Sequence, residues 1–139
     1  MLSIRSAFLL AVLLSAATPG FAHGDAKHDT AAAPHGGQMR AAGAFHFELV
    51  VDAKAGASKA APLLVYVTDH DGRKAVLTGA TGSATLLSGS SKTTVLLNPE
   101  GDNRMKGIGA YSAAPGMKVI VSITLPGQAA AQARFTPKL

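Results

Sequence analysis

From Met39 onward apolar and polar residues alternate with a period of two. Phe45, Phe47, Leu49 and Val51 alternate with His46, Glu48, Val50 and Asp52. In a strand, successive side chains point to opposite faces, so this run predicts one apolar and one mixed face. Leu63, Val65 and Val67 repeat the pattern after the Gly/Ala/Ser-rich linker 54–61 and Pro62. Asp69-His70-Asp71-Gly72 follows as a turn, because Asp and Gly tolerate the left-handed backbone that tight hairpins need. Further strands are predicted at 73–77, 83–88, 92–97, 104–111, 117–125 and 129–135. They are separated by turns at Thr78 to Gly82, Gly89-Ser90-Ser91, Asn98 to Asn103, Pro115-Gly116 and Pro126-Gly127. Strands with turn signals every roughly 8–12 residues predict a β-sandwich or barrel. No stretch beyond residue 38 has a 3.6-residue period. The predicted fold is all-β, an immunoglobulin-like sandwich of about seven to eight antiparallel strands.

The first residues carry a different pattern. Arg5 precedes an apolar run from Ala7 to Ala17. Pro19 and Gly20 then break any helix, and Gly20-Phe21-Ala22 offers small residues at the −3 and −1 positions of a cleavage site. The run is shorter than the ~20 apolar residues that span a bilayer. Residues 1–22 therefore read as a secretory signal peptide, which predicts an exported, periplasmic protein that does not span the membrane after cleavage. Residues 23–37 are polar and Ala/Gly-rich and read as a flexible arm. Residues 38–139 form the single predicted domain.

Composition narrows the chemistry. The chain has no cysteine, which excludes disulfides, thiolate zinc sites, iron–sulfur clusters and cysteine nucleophiles. Its 13 Lys/Arg against 8 Asp/Glu give a net charge of +5. The basic residues are scattered, with no aromatic-interleaved patch, so nucleic-acid binding is not expected. There is no G-x-S-x-G elbow and no phosphate loop, and nothing nominates an enzyme.

The five histidines are the main chemical signal. His23, His28 and His35 lie on the arm, with Asp25 and Asp29 between them. Imidazole nitrogen suits copper, zinc and nickel ions, and a flexible arm can wrap one. If cleavage follows Ala22, His23 becomes the first residue, and its α-amine and imidazole can chelate Cu²⁺. CopC-type copper-resistance proteins, which are also exported β-sandwiches, use such a site. On the strand, His46 and Glu48 share a face at about 6–7 Å. They suit either two ligands of one ion or a histidine with an orienting carboxylate. The Gly36-Gly37 pair can fold His35 back over His46. His70 is read as part of the hairpin turn, and the calcium-loop pattern opened by Asp69-x-Asp71-Gly72 lacks its later ligands. Met39, Met105 and Met117 offer thioethers but are read as core or edge filling.

The run Pro34-His35-Gly36-Gly37-Gln38, followed by Phe45-His46-Phe47-Glu48-Leu49-Val50, resembles a segment of the membrane-fusion (adaptor) proteins of heavy-metal efflux systems. It resembles more closely the small stand-alone periplasmic proteins associated with such systems. The stretches 63–76, 97–109 and 126–135 look similar too, so the resemblance spans roughly residues 34–136. It implies a β-sandwich, a copper- or zinc-class ion, and an efflux-system component as partner. It also implies a ligand role for His35, His46 and Glu48. The helical hairpin and lipoyl parts of an adaptor are absent. Affinity for metal is expected to fall as pH drops through about 6.5, where free imidazoles protonate. The alternative expectation is a metal-free module that docks on an efflux or envelope complex by strand addition.

Overall fold

The computed structural model describes residues 33–139; the predicted signal peptide, and the part of the predicted arm that carries His23 and His28, lie outside the described residues. Eight strands follow one another: β1 (Gln38–Ala42), β2 (Phe45–Val51), β3 (Ala60–Asp69), β4 (Thr81–Ser88), β5 (Ser91–Pro99), β6 (Arg104–Ala110), β7 (Lys118–Thr124) and β8 (Ala131–Phe135). There is no helix among the described residues, and so none long and apolar enough to cross a membrane. Every pairing is antiparallel, in the order β1-β2-β3-β6-β5-β4-β7-β8. The runs β3-β6-β5-β4 and β6-β5-β4-β7 each have Greek-key order, the connectivity of immunoglobulin-like sandwiches. The two faces are rolled so far that the sheet nearly closes into a barrel. At the seam the Thr136 N–H donates to Gln38 Oε1 at 2.9 Å, tying the end of β8 to the start of β1.

The corner that turns one face into the other is at β5. Most of β5 pairs with β4, and only Asn98 and Pro99 pair with β6. Glycine makes the crossing possible. A Cβ at Gly107 would come within 2.4 Å of the Leu96 carbonyl oxygen, and one at Gly109 within 2.5 Å of Val95 Cγ2. The two glycines that weaken β6 by propensity thus let β5 pass over it, as expected where backbones approach closely.

The core is the set of inward positions that the alternation marks out. Phe47, Leu63, Val65, Val67, Val119, Val121 and Ile123 are fully buried. Burying each large apolar side chain stabilises the fold by about 1.5–3 kcal/mol. Phe45 and Val51, at the ends of β2, are half-buried against the same cluster. Met105 and Met117 are core residues.

Two elements differ from the sequence-based expectation, although the number of strands agrees. The strand predicted at 73–77 reduces to a single bridge between Lys74 and Thr68. Leu77 is buried, and a turn in which Ala80 N–H donates to the Leu77 carbonyl carries the chain to β4 on the opposite face. Its place in the count is taken by β1, whose sequence QMRAA has too few large apolar residues to announce a strand. β1 forms because Gly43-Ala44 returns the chain directly onto β2, with Ala42 opposite Phe45. The predicted arm also ends earlier than Gly37. Residues 33–37 form a turn, with Gly36 N–H donating to the Ala33 carbonyl at 3.0 Å.

Candidate functional site

Alternation along β2 lifts His46 and Glu48 onto the face opposite Phe47 and Leu49, as the sequence predicts. That face would meet solvent if β2 stood alone, yet Glu48 is only 2% exposed. Its cover is the turn at 33–37. The His35 N–H donates to Glu48 Oε1 at 2.7 Å, the Gly37 N–H donates to the same oxygen at 3.1 Å, and His35 Nδ1 meets Oε2 at 2.7 Å. Gly36 adopts φ +76°, which only glycine takes without strain. At Gly37 a Cβ would lie 2.2 Å from the Leu49 carbonyl oxygen. The His-Gly-Gly sequence is therefore the shape needed to lay one main-chain segment and one imidazole over a buried carboxylate.

Each hydrogen bond to a charged group is worth about 1.5–3 kcal/mol, and a buried charge stripped of its partners costs more. Both oxygens of Glu48 are thus taken by donors that an incoming ion would have to displace. The carboxylate accepts from His35 Nδ1, so the proton sits on Nδ1 and the neutral ring keeps its lone pair on Nε2. The His35 side chain remains 42% exposed.

The imidazole is also held in plane. It stacks on Tyr66 with ring centroids 3.5 Å apart and an interplanar angle of 0°. Tyr66 stands directly across from Glu48, and Arg104 stands across from Tyr66. A side-chain hydrogen bond with Tyr66, then the charge of Glu100, raise the Arg104 pKa above its ordinary value. Glu100 is ion-paired with Arg104, whose Nε lies 3.1 Å from Oε2, and accepts a hydrogen bond from Lys106 Nζ at 3.0 Å. The result is a polar row across β2, β3 and β6 with the imidazole of His35 laid over it.

His46 takes a different partner. Its ring meets that of His70 edge to face, with centroids 4.6 Å apart and an interplanar angle of 86°. His46 Nδ1 lies 3.4 Å from the Asp69 carbonyl oxygen, and His70 Nε2 donates to the Gly43 carbonyl at 2.9 Å. The sequence-predicted residues are therefore distributed into two pairs, His35 with Glu48 and His46 with His70. Among the described residues no three His, Asp or Glu side chains are grouped to hold a metal ion.

Tyr66, Arg104 and the role of His70 are not predicted from the sequence. Tyr66 alternates with the core residues Val65 and Val67, which places it on the outer face. Its position opposite Glu48 depends on the register between β2 and β3, which are joined through residues 52–59; β3 itself starts at Ala60, earlier than the linker predicted at 54–61. The Asp69 turn meets the start of β2 for the same reason, since Phe45 is opposite Asp69.

No protein-family model matches the chain, and no curated protein matches it either.

Proposed function

We propose that this protein binds a copper- or zinc-class ion in the periplasm, as an accessory to a heavy-metal efflux or resistance system. One observation carries the reading: the His35 imidazole is clamped through Nδ1 by a buried carboxylate. Histidines that ligate metals almost always donate their other ring N–H to a carboxylate, carbonyl or water, which fixes the tautomer and raises the basicity of the ligating nitrogen. In this reading Nε2 of His35 is the anchoring ligand. Glu48 orients it and Tyr66 holds its plane. His28 and His23, seven and twelve positions earlier in the sequence, supply further imidazoles, and the exported chain's α-amine joins them if it begins at His23. A ligand set divided between a fixed imidazole and a preceding chain segment suits capture and hand-over of an ion to an efflux component. His46 is assigned to its own pair and not to this ion.

Calorimetric titration of the purified, tag-free protein with Cu²⁺ and Zn²⁺ tests this. A saturable site is expected that weakens by more than about tenfold in His35→Ala, since losing a ligand costs at least as much as the 10- to 100-fold effects of altering a ligand's outer partner. His28→Ala is expected to weaken the same site. Unchanged affinity in both variants would overturn the proposal.

The alternative, a metal-free module that docks on an efflux or envelope complex, is favoured by a different observation. Leu96 and Ile108 are 72% and 65% exposed and line one groove where β5 and β6 diverge. Retained partner binding in His35→Ala, lost in Leu96→Ser, would support that reading instead.

A further inference from the structure

We propose that residues 33–42, the turn and β1 together, form a strap that opens as one unit while the rest of the sheet stays folded, with the Glu48 clamp as its latch. Packing carries the proposal. Among the side chains of β1 only Ala42 is buried, and that side chain is a single methyl. β7, by contrast, buries Val119, Val121 and Ile123 completely. A segment held by few buried apolar contacts opens at a lower free energy than the whole molecule unfolds.

The pairing of β1 is one-sided. It runs along β2 from Gln38 opposite Leu49 to Ala42 opposite Phe45, and it stands at one end of the strand order with β8 at the other. The two ends lie side by side. A Cβ at Gly43 would be 4.0 Å from that of Ala131, and Gln38 reaches Thr136. Yet no ladder joins β1 to β8; at the Gln38 end a side-chain oxygen receives the Thr136 N–H instead. A groove of about 610 Å³ also opens here, lined by Gly37 and Met39 of the strap, Leu49 and Val51 of β2, and Pro137 and Leu139. Dispersion contacts that packed side chains would supply are missing along it.

Polar contacts therefore hold the strap where apolar ones do not. The His35 N–H, the Gly37 N–H and His35 Nδ1 all belong to the strap, and the carboxylate that receives them belongs to β2. Opening separates the two and gives Glu48 back to water. It also bares the edge of β2, whose Phe45-His46-Phe47-Glu48-Leu49-Val50-Val51 sequence is rich in the aromatic and β-branched residues that pair readily. An ion held by His35 would keep the strap closed by mass action. That consequence rests on the metal reading above, whereas the strap does not.

The test is native-state amide hydrogen exchange of the whole tag-free protein, without metal, read residue by residue by NMR. The β1 amides that face β2 are expected to share one opening constant and to exchange at least about tenfold faster than those of β7, once corrected for intrinsic rates. Ile123→Val separates the strap from the rest, since its side chain leans toward Gly82 of β4. It is expected to speed exchange in β7 by about 2- to 12-fold and to leave β1 unchanged. Gln38→Ala, which removes the acceptor at the seam, is expected to speed exchange in β1 at least about twofold. Equal protection of β1 and β7 in the parent protein would overturn the strap. So would a β1 that speeds up as much as β7 in Ile123→Val, because both then open only with the whole molecule. Opening constants that differ from amide to amide along β1, as in fraying from one end, would overturn the single unit. Unchanged β1 exchange in both Gln38→Ala and Glu48→Gln would overturn the latch.

Discussion

Glu48 illustrates how one residue type changes meaning with its surroundings. On a bare strand, a Glu beside a His is a surface pair worth well under about 1 kcal/mol. Under the 33–37 turn it becomes a buried acceptor with three donors. Glu48→Gln keeps the volume and one acceptor oxygen but puts an NH₂ where the imidazole N–H must be received. It is expected to destabilise the protein by about 1–3 kcal/mol, measured by urea unfolding. Stability equal to that of the parent would contradict the clamp. Gly37→Ala forces a methyl against the Leu49 carbonyl and is expected to cost at least about 1–3 kcal/mol, the usual penalty of overpacking, with loss of the His35–Glu48 contact by NMR. Tyr111 gives the pH prediction. It is 2% exposed, donates to the Pro62 carbonyl at 2.7 Å and accepts from the Asp52 N–H at 3.0 Å. Burial, first, and the charge of Asp52 push its pKa up. The native state therefore holds the phenolic proton more tightly than the unfolded chain. The resulting stability is complete below the unfolded value of about 10 and is lost as pH rises through the higher native value. Tyr111→Phe is expected to lose stability at pH 7 and to flatten the decline above pH 10 in pH-dependent melts.

At the scale of elements, alternation was legible and pairing was not. The inward residues of β2, β3 and β7 can be read from period two alone, because the core needs one face and the side chains supply it. β1 was hidden because Arg40, Ala41 and Ala42 carry little apolar contrast, and it exists through the hairpin that returns it to β2. Residues 73–77 look like a strand locally but must leave β3 to reach β4, and the topology overrides the local pattern. The site was legible to the same extent. His35, His46 and Glu48 are distinguishable as chemistry-bearing residues, and the shared face of His46 and Glu48 follows from spacing. The division into His35–Glu48 and His46–His70 depends on β2–β3 register, which no local signal encodes. The crossing at β5 yields its own prediction. Gly107→Val places a branched side chain where 2.4 Å separates a Cβ from the Leu96 carbonyl. A loss of at least about 3 kcal/mol is expected, at the upper end of overpacking penalties, and Gly101→Ala, at a turn with open space around it, is expected to cost less. Equal unfolding midpoints for the two variants would contradict the crossing.

For the whole molecule, a nearly closed antiparallel sheet provides a rigid support on which few backbone edges are exposed, and the chemistry is placed on one outer face of it. The β2–β3 pair carries both histidine pairs, so one register sets both. A cysteine-free chain holds this shape by its core and by its turns. The proposed metal site depends on the state of the His35 ring. The decisive measurement is long-range ¹H–¹⁵N NMR of the histidine imidazoles, before and after one equivalent of Zn²⁺. The expected spectrum has His35 protonated on Nδ1 in the absence of metal, with the Nε2 resonance shifted on zinc addition and the Nδ1–H retained. A ring protonated on Nε2 instead, or an Nε2 resonance that zinc leaves unmoved, would contradict the proposed site.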